Sequence, residues 1–203
     1  MDITAVRLTA PATRTAPALL LRPWRAADVA GLVAAYQDDA LRRWTVAGPR
    51  DEVSAMRWVR EQRRLWETAD QYAFAVVEPG DQRADGELVG HVVLKRGASD
   101  AASAEVGYWT AAHARGRGVA PRALETLTDW AFTAFADHEL THLDLLHQVD
   151  NTASCRVAHK CGYGFTSLLP AAPPAFPLDA HRHVRVRDAD EPPEPGDPRA
   201  GVR

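Results

Sequence analysis

Apolar positions recur along this chain with two periods, near two residues and near 3.6, and the changes between them mark its elements. Leu19-Leu20-Leu21-Arg22 is a short apolar run stopped by Pro23, as a buried strand is. From about Ala27, the positions Val29, Leu32, Val33 and Tyr36 fall on one helical face, and Asp38-Asp39 closes the segment. Gly48-Pro49 then breaks the chain. Asp51 stands as N-cap of a second helix running to about Thr68, with Val53, Met56, Val59 and Trp66 along one side. Residues 1–18 mix Thr, Ala and Pro without a period and predict an irregular or weakly extended lead-in.

The period then falls to two. Residues 72–77, 88–94 and 104–110 read as three strands joined by short links, with 78–85 as a hairpin loop, which predicts an antiparallel meander. A third helix starts at about Ala120, tolerates Pro121 in its first turn, and carries Leu124, Leu127, Trp130, Ala131, Ala134 and Phe135 on one stripe. A strand over 142–147, a helix opened by Asn151 and ended at Gly162, and strands over 163–169 and 181–187 complete the pattern. This order is mixed α/β, without the strict alternation of a doubly wound sheet. It predicts a single domain over 1–187. Residues 188–203 are Asp, Glu, Pro, Gly and Arg without an apolar cluster and predict a disordered tail.

Composition narrows the partners. The 203 residues, 46% of them hydrophobic, are enough for one well-buried core. A net charge of -3 and a pI near 6.2 give no bulk reason for nucleic acid or an anionic membrane, so any anion site must be local. No segment approaches the ~20 apolar residues of a membrane span, and Met1-Asp2-Ile3-Thr4 does not start a secretory signal, so the expected location is cytoplasmic. Cys155 and Cys161 form no CxxC pair and read as reduced thiols.

The chemistry concentrates in one turn. Gly116, Gly118 and Ala120 carry the chain from strand to helix, so successive backbone N–H groups point into the space before a helix N-terminus, where an anion is favoured. Arg115 and Arg117 can add charge. The same turn also serves as a tight connection; neither the Walker nor the Rossmann spacing is present. Asn151 is explained by capping alone, and Ser154 by a first-turn position. His181 and His183 share a strand face, but no third ligand is nearby in sequence, so no metal is expected.

Together these features resemble the GNAT superfamily of acyl-CoA-dependent N-acetyltransferases, whose Arg/Gln-x-x-Gly-x-Gly/Ala turn is met by Arg115-Gly116-Arg117-Gly118-Val119-Ala120. Glu105-Val106-Gly107-Tyr108-Trp109, Trp130-Ala131-Phe132, Asn151-Thr152-Ala153-Ser154 leading to Gly162-Tyr163, and Leu20-Leu21-Arg22-Pro23-Trp24 look like the RimJ/RimL-type branch. The resemblance covers roughly residues 18 to 187. It implies a mostly antiparallel twisted sheet with helices on both faces, splayed between the fourth and fifth of the seven expected strands. It implies acetyl-CoA as donor: the pyrophosphate rests on the Arg115, Gly116, Arg117, Gly118, Val119 and Ala120 segment, pantetheine pairs near Trp109 and Thr110, and Asn151 and Ser154 contact the cofactor arm.

Many members of the family place an acid tyrosine where this chain has Ala158, and the resemblance passes that role to Ser154, with Tyr163 as fallback. The acceptor it implies is a primary amine, on a small molecule or a protein N-terminus. Glu105 is the first carboxylate to test as base, His91, His142 and His147 being alternatives, and strand alternation leaves the face of Glu105 open. The departure at Ala158 leaves a second reading, a module that senses acyl-CoA without turnover. Trp44, Trp58 or Trp66 is expected to wall the acceptor groove, and the chain to act as monomer or homodimer.

Overall fold

A computed structural model describes residues 6–45, 48–80, 83–97, 101–138, 140–173 and 177–187; the tail expected over 188–203 lies outside them. The strands are β1 (Leu8–Ala10), β2 (Leu19–Pro23), β3 (Gln71–Gly80), β4 (Arg83–Arg96), β5 (Ser103–Thr110), β6 (His142–Gln148), β7 (Gly164–Leu169) and β8 (Ala180–Val186). The helices are α1 (Val29–Ala35), α2 (Asp39–Trp44), α3 (Glu52–Glu67), α4 (Val119–Ala134) and α5 (Thr152–Lys160). Among the described residues the strands form one sheet in the order β1-β2-β3-β4-β5-β6-β8-β7, with only β5 and β6 parallel.

The hairpin loop expected over 78–85 is largely strand, because β3 and β4 go on pairing through Glu78↔Glu87 to Gly80↔Arg83, and two further features depart from the sequence reading. Part of the lead-in is strand β1, because Leu8, Thr9 and Ala10 find a free edge opposite Leu21, Leu20 and Leu19. The first helix closes before Asp38 as read, but a further short helix follows it, because Asp38 leaves the helical region (ψ 120°) and caps α2, accepting hydrogen bonds from the Ala40 and Leu41 amides.

Strand parity builds the two layers. Tyr72, Phe74 and Val76 of β3 pack with Leu124, Leu127 and Ala131 of α4 on one face. Ala73, Ala75 and Val77 pack with Leu32 of α1 and Ala55 and Val59 of α3 on the other, where small side chains let the helices lie close. Burying each of these leucines contributes about 1.5–3 kcal/mol. Beyond the end of β2 the Ala73 carbonyl has no strand partner on that side, and Trp66 Nε1–H donates to it at 3.0 Å. Trp66 is therefore core.

Asp51 caps α3 as expected, its carboxylate accepting from Ser54 N at 2.7 Å while Ser54 Oγ accepts from Asp51 N at 3.1 Å. The C-terminal end of β2 is held by a buried ion pair. Arg22 meets Asp28 through two hydrogen bonds of 2.8 and 2.7 Å, and Arg25 N donates to the same carboxylate at 2.8 Å.

Candidate active site

Among the described residues the sheet opens between β5 and β6. β5 pairs with β6 only from Ser103↔His142 to Val106↔Leu145. Past that point β5 stays with β4 as far as Thr110↔Gly90, and β6 stays with β8 as far as Gln148↔Ala180. Residues 107–110 therefore turn a backbone edge toward a wedge, and unpaired strand edges take up an extended partner readily.

The glycine turn closes the β5 side of this wedge. Gly118 is the N-cap of α4 with φ 76°, and no side chain caps the helix. The first-turn amides of α4 have no acceptor within their own helix, and Pro121 has no N–H to place there. A Cβ at Gly116 or Gly118 meets nothing within 4 Å, so both glycines are required by their positive φ rather than by crowding. The turn is an open, positively polarised cradle that suits an anion. Gly118→Ala is expected to lower stability by about 1–2 kcal/mol through the left-handed conformation alone, which urea unfolding would measure; an unchanged midpoint would show that the turn relaxes.

Both arginines of the turn already have carboxylate partners. Arg115 pairs with Asp38, and its guanidinium holds the Asp38 carboxyl below the usual range. Arg117 pairs with Glu78 at 2.5 Å. Each arginine side chain is about two-fifths exposed, at 41% and 40%, so neither pair is sealed from an incoming anion.

On the far side of the wedge, Asn151 caps α5 by accepting from Ser154 N at 3.2 Å. Ser154 Oγ faces back across the opening and accepts a hydrogen bond from Tyr108 Oη at 3.1 Å. Burial pushes the Tyr108 phenol up to about 12, so it remains a neutral donor. Tyr108 thus bridges the two arms, a role that the sequence reading missed. Parity carried the signal: Ala104 and Val106 are core on the α4 face, and Tyr108 shares their side of β5.

Trp109 points the other way, into an aromatic cluster. His91, its register partner on β4, stacks on it with centroids 5.7 Å apart, and Trp24 Nε1–H donates to His91 Nδ1 at 3.1 Å. Burial drives the His91 pKa down to about 3. The unfolded ring takes a proton below about pH 6.5, and the folded ring refuses it. Stability from His91 is therefore full above that pH and falls as pH drops toward 3, by up to about 1.4 kcal/mol per unit. His91→Gln, which keeps an acceptor for Trp24, is expected to flatten the slope of urea-unfolding free energy between pH 6.5 and 5; an unchanged slope would assign the acid sensitivity elsewhere.

Trp58 packs on the cluster, with ring centroids 5.0 Å from Trp24 and 5.7 Å from His91. It is only half-buried, and with Gly48, Pro49, Ser54, Arg57, Arg60 and Glu61 it lines an open groove of ≈ 610 Å³. Trp44 is also half-buried, whereas Trp66 is sealed.

Other residues singled out in the sequence lie away from the wedge. Glu105 faces Asp144 in the closed part of the β5–β6 pair and is held by Lys95 at 2.6 Å. It sits four residues before Trp109, roughly 13 Å along the strand. His142 opens β6 at the same closed end. Tyr163 is core, 1% exposed, with its hydroxyl 2.6 Å from Thr128 Oγ1. Cys155 and Cys161 are free thiols, and burial raises Cys161 to about 12. The His181–His183 pair does not stand alone as the sequence implied: His147 of β6 and Cys155 of α5 fold against it.

Comparison with known proteins follows the same lines. A family model described as an acetyltransferase (GNAT) domain matches residues 18–164. No curated protein matches the chain at a significant level. Among solved structures it is similar to Mycobacterium smegmatis RimJ in complex with CoA-disulfide, at 22% identity and a TM-score of 0.74, covering 93% of this chain and 88% of that one. It is also similar to RimL, a ribosomal L7/L12 alpha-N-protein acetyltransferase in complex with coenzyme A, at 19% identity, a TM-score of 0.72 and coverage of 90% and 99%. The microcin C7 self-immunity acetyltransferase MccE, in complex with acetyl-CoA and AMP, matches at 16% identity, a TM-score of 0.70 and coverage of 83% and 92%.

Proposed function

The chain belongs to the acetyltransferase (GNAT) family, and from that premise we propose that it moves an acetyl group from acetyl-CoA directly to a primary amine. The observation that carries this reading is the wedge beyond Val106↔Leu145, with an uncapped helix N-terminus on one side and the Tyr108–Ser154 bridge on the other. Such a wedge accepts an extended arm as a partial strand, and such a turn accepts the phosphates at the arm's end.

The residues divide the work. Amides of the Arg115, Gly116, Arg117, Gly118, Val119 and Ala120 turn hold the pyrophosphate, Arg115 and Arg117 exchange their carboxylate partners for it, and the edge at Trp109 and Thr110 receives the pantetheine amides. Asn151 orders the first turn of α5. Acetyl-CoA supplies an activated acyl group and a thiolate leaving group. Tyr108 donates to Ser154 Oγ, which leaves the serine proton free to point into the wedge, so Ser154 is the acid and Tyr108 its positioning residue.

The amine must arrive neutral, and an α-amine of pKa ~8 needs little help at neutral pH. Glu105 is held in its surface ion pair and His91 is sealed under Trp24, so solvent water takes the amine proton. The acceptor enters along the groove walled by Trp58, which adjoins Trp109 through Trp24 and His91. A protein N-terminus is the first acceptor class to test, with small amines as the second. The test is thiol release from acetyl-CoA across a panel of N-terminal peptides and small amines, with mass analysis of the products. Acceptor-dependent thiol release matched by an acetyl mass gain is expected; tight acetyl-CoA binding without release for any acceptor would overturn the reading.

A further inference from the structure

Behind α5, on the face of the sheet it covers, four metal-binding side chains converge. His147 and His181 are register partners on β6 and β8, His183 lies two residues on along the same face, and Cys155 reaches them from the second turn of α5. One donor atom from each lies within 4.8 Å of all the others. Cys155 Sγ is 3.6 Å from His147 Nε2 and 3.3 Å from His181 Nδ1. A tetrahedron built from Zn–N of ~2.0–2.1 Å and Zn–S of ~2.3 Å has edges of about 3.3–3.6 Å.

The hydrogen bonding around the cluster is independent of that spacing and points the same way. His147 Nδ1 is 2.9 Å from the Gln148 carbonyl; donation there puts the proton on Nδ1 and leaves the Nε2 lone pair facing Cys155. His183 is only 2% exposed, and neither of its ring nitrogens makes a hydrogen bond of proper geometry, although the Tyr163 backbone lies close by. A buried imidazole without a partner is costly unless something else takes its lone pair. Phe165 packs edge-on against His181 and His183, with centroids 5.3 and 5.8 Å away, and screens them.

We propose that His147, Cys155, His181 and His183 form a closed four-ligand site for a borderline-soft divalent cation of the Zn²⁺ class. One thiolate and three imidazoles suit that class, whereas Mg²⁺ and Ca²⁺ take oxygen ligands. Binding replaces the Cys155 S–H proton by the metal and releases it to solvent. With all four positions supplied by protein the ion is structural. It clamps α5, and with it Asn151 and Ser154, to the β6–β8 arm of the wedge.

The test uses the full chain without a polyhistidine tag, stripped with a chelator and titrated with Co²⁺ and then Zn²⁺. Expected are one Co²⁺ per chain, the intense visible bands of a tetrahedral ion with a thiolate charge-transfer band in the near ultraviolet, displacement by Zn²⁺, and a higher melting temperature with Zn²⁺. Cys155→Ser removes the charge-transfer band, and His181→Ala weakens binding at least about tenfold. Sub-stoichiometric Co²⁺, only the weak bands of an octahedral ion, or a charge-transfer band that survives Cys155→Ser would each overturn the site. The wild-type spectrum decides even where a variant fails to fold.

Discussion

Ser154→Ala is expected to lower kcat by about 10²–10⁴-fold, the usual worth of a positioned acid, with the KM for acetyl-CoA nearly unchanged. The serine hydroxyl stands at the first turn of α5, aligned from behind by the Tyr108 phenol at 3.1 Å. Its proton is needed only when the thiolate departs, so its loss falls on the chemical step. Tyr108→Phe keeps the acid and removes its alignment, and is expected to lower kcat by a smaller factor. Steady-state kinetics on an acceptor from the peptide and amine panel measure both. Ser154→Ala within twofold of wild type would remove the serine from the mechanism; Tyr108→Phe falling as far as Ser154→Ala would instead make the phenol the acid.

Asp28→Ala is expected to cost about 3–5 kcal/mol of folding stability. Arg22 is 2% exposed, and its guanidinium meets both carboxylate oxygens of Asp28 at 2.7 and 2.8 Å. Removing the carboxylate leaves a buried cation and orphans the Arg25 amide, which donates to Asp28 at 2.8 Å. For a domain whose whole stability is about 5–15 kcal/mol this is a large share. The melting temperature should fall by roughly 6–20 °C, at about 2–4 °C per kcal/mol. Replacing both partners with apolar residues should restore much of the loss, since a buried pair is close to neutral against good packing. Calorimetry or urea unfolding of the single and double variants separates the outcomes. A double variant no more stable than Asp28→Ala would show that the pair holds the segment by geometry as well as charge.

The elements legible in the sequence are those whose pattern is local. The stripe of α4, the caps at Asp51 and Asn151, and the meander of β3, β4 and β5 rest on residues within a few positions of one another, and each forms as read except that β3 and β4 run on into the loop expected over 78–85. Strand β1 was hidden because three residues carry too little pattern, and their strand state depends on an edge supplied by β2. Helix α2 was hidden because Asp38, which reads as the close of one helix, also caps the next, and six residues with a single buried apolar position carry too little stripe to report it.

Within the site, the sequence determined the glycine turn, the Asn151 cap and the place of Ser154 three residues beyond that cap, since positive φ and capping are properties of short segments. It left open which face Glu105 and Tyr108 occupy. That is a matter of parity against a core, and only the folded sheet settles it, turning Tyr108 to Ser154 and Glu105 to Lys95. Nor could it bring His147 and Cys155 to His181 and His183, since their meeting depends on β6 pairing with β8 and on α5 crossing that pair. Short-range torsional and hydrogen-bonding preferences are written residue by residue along the chain. Which side chains share a site is decided by register and layer packing, which exist only once distant strands have met.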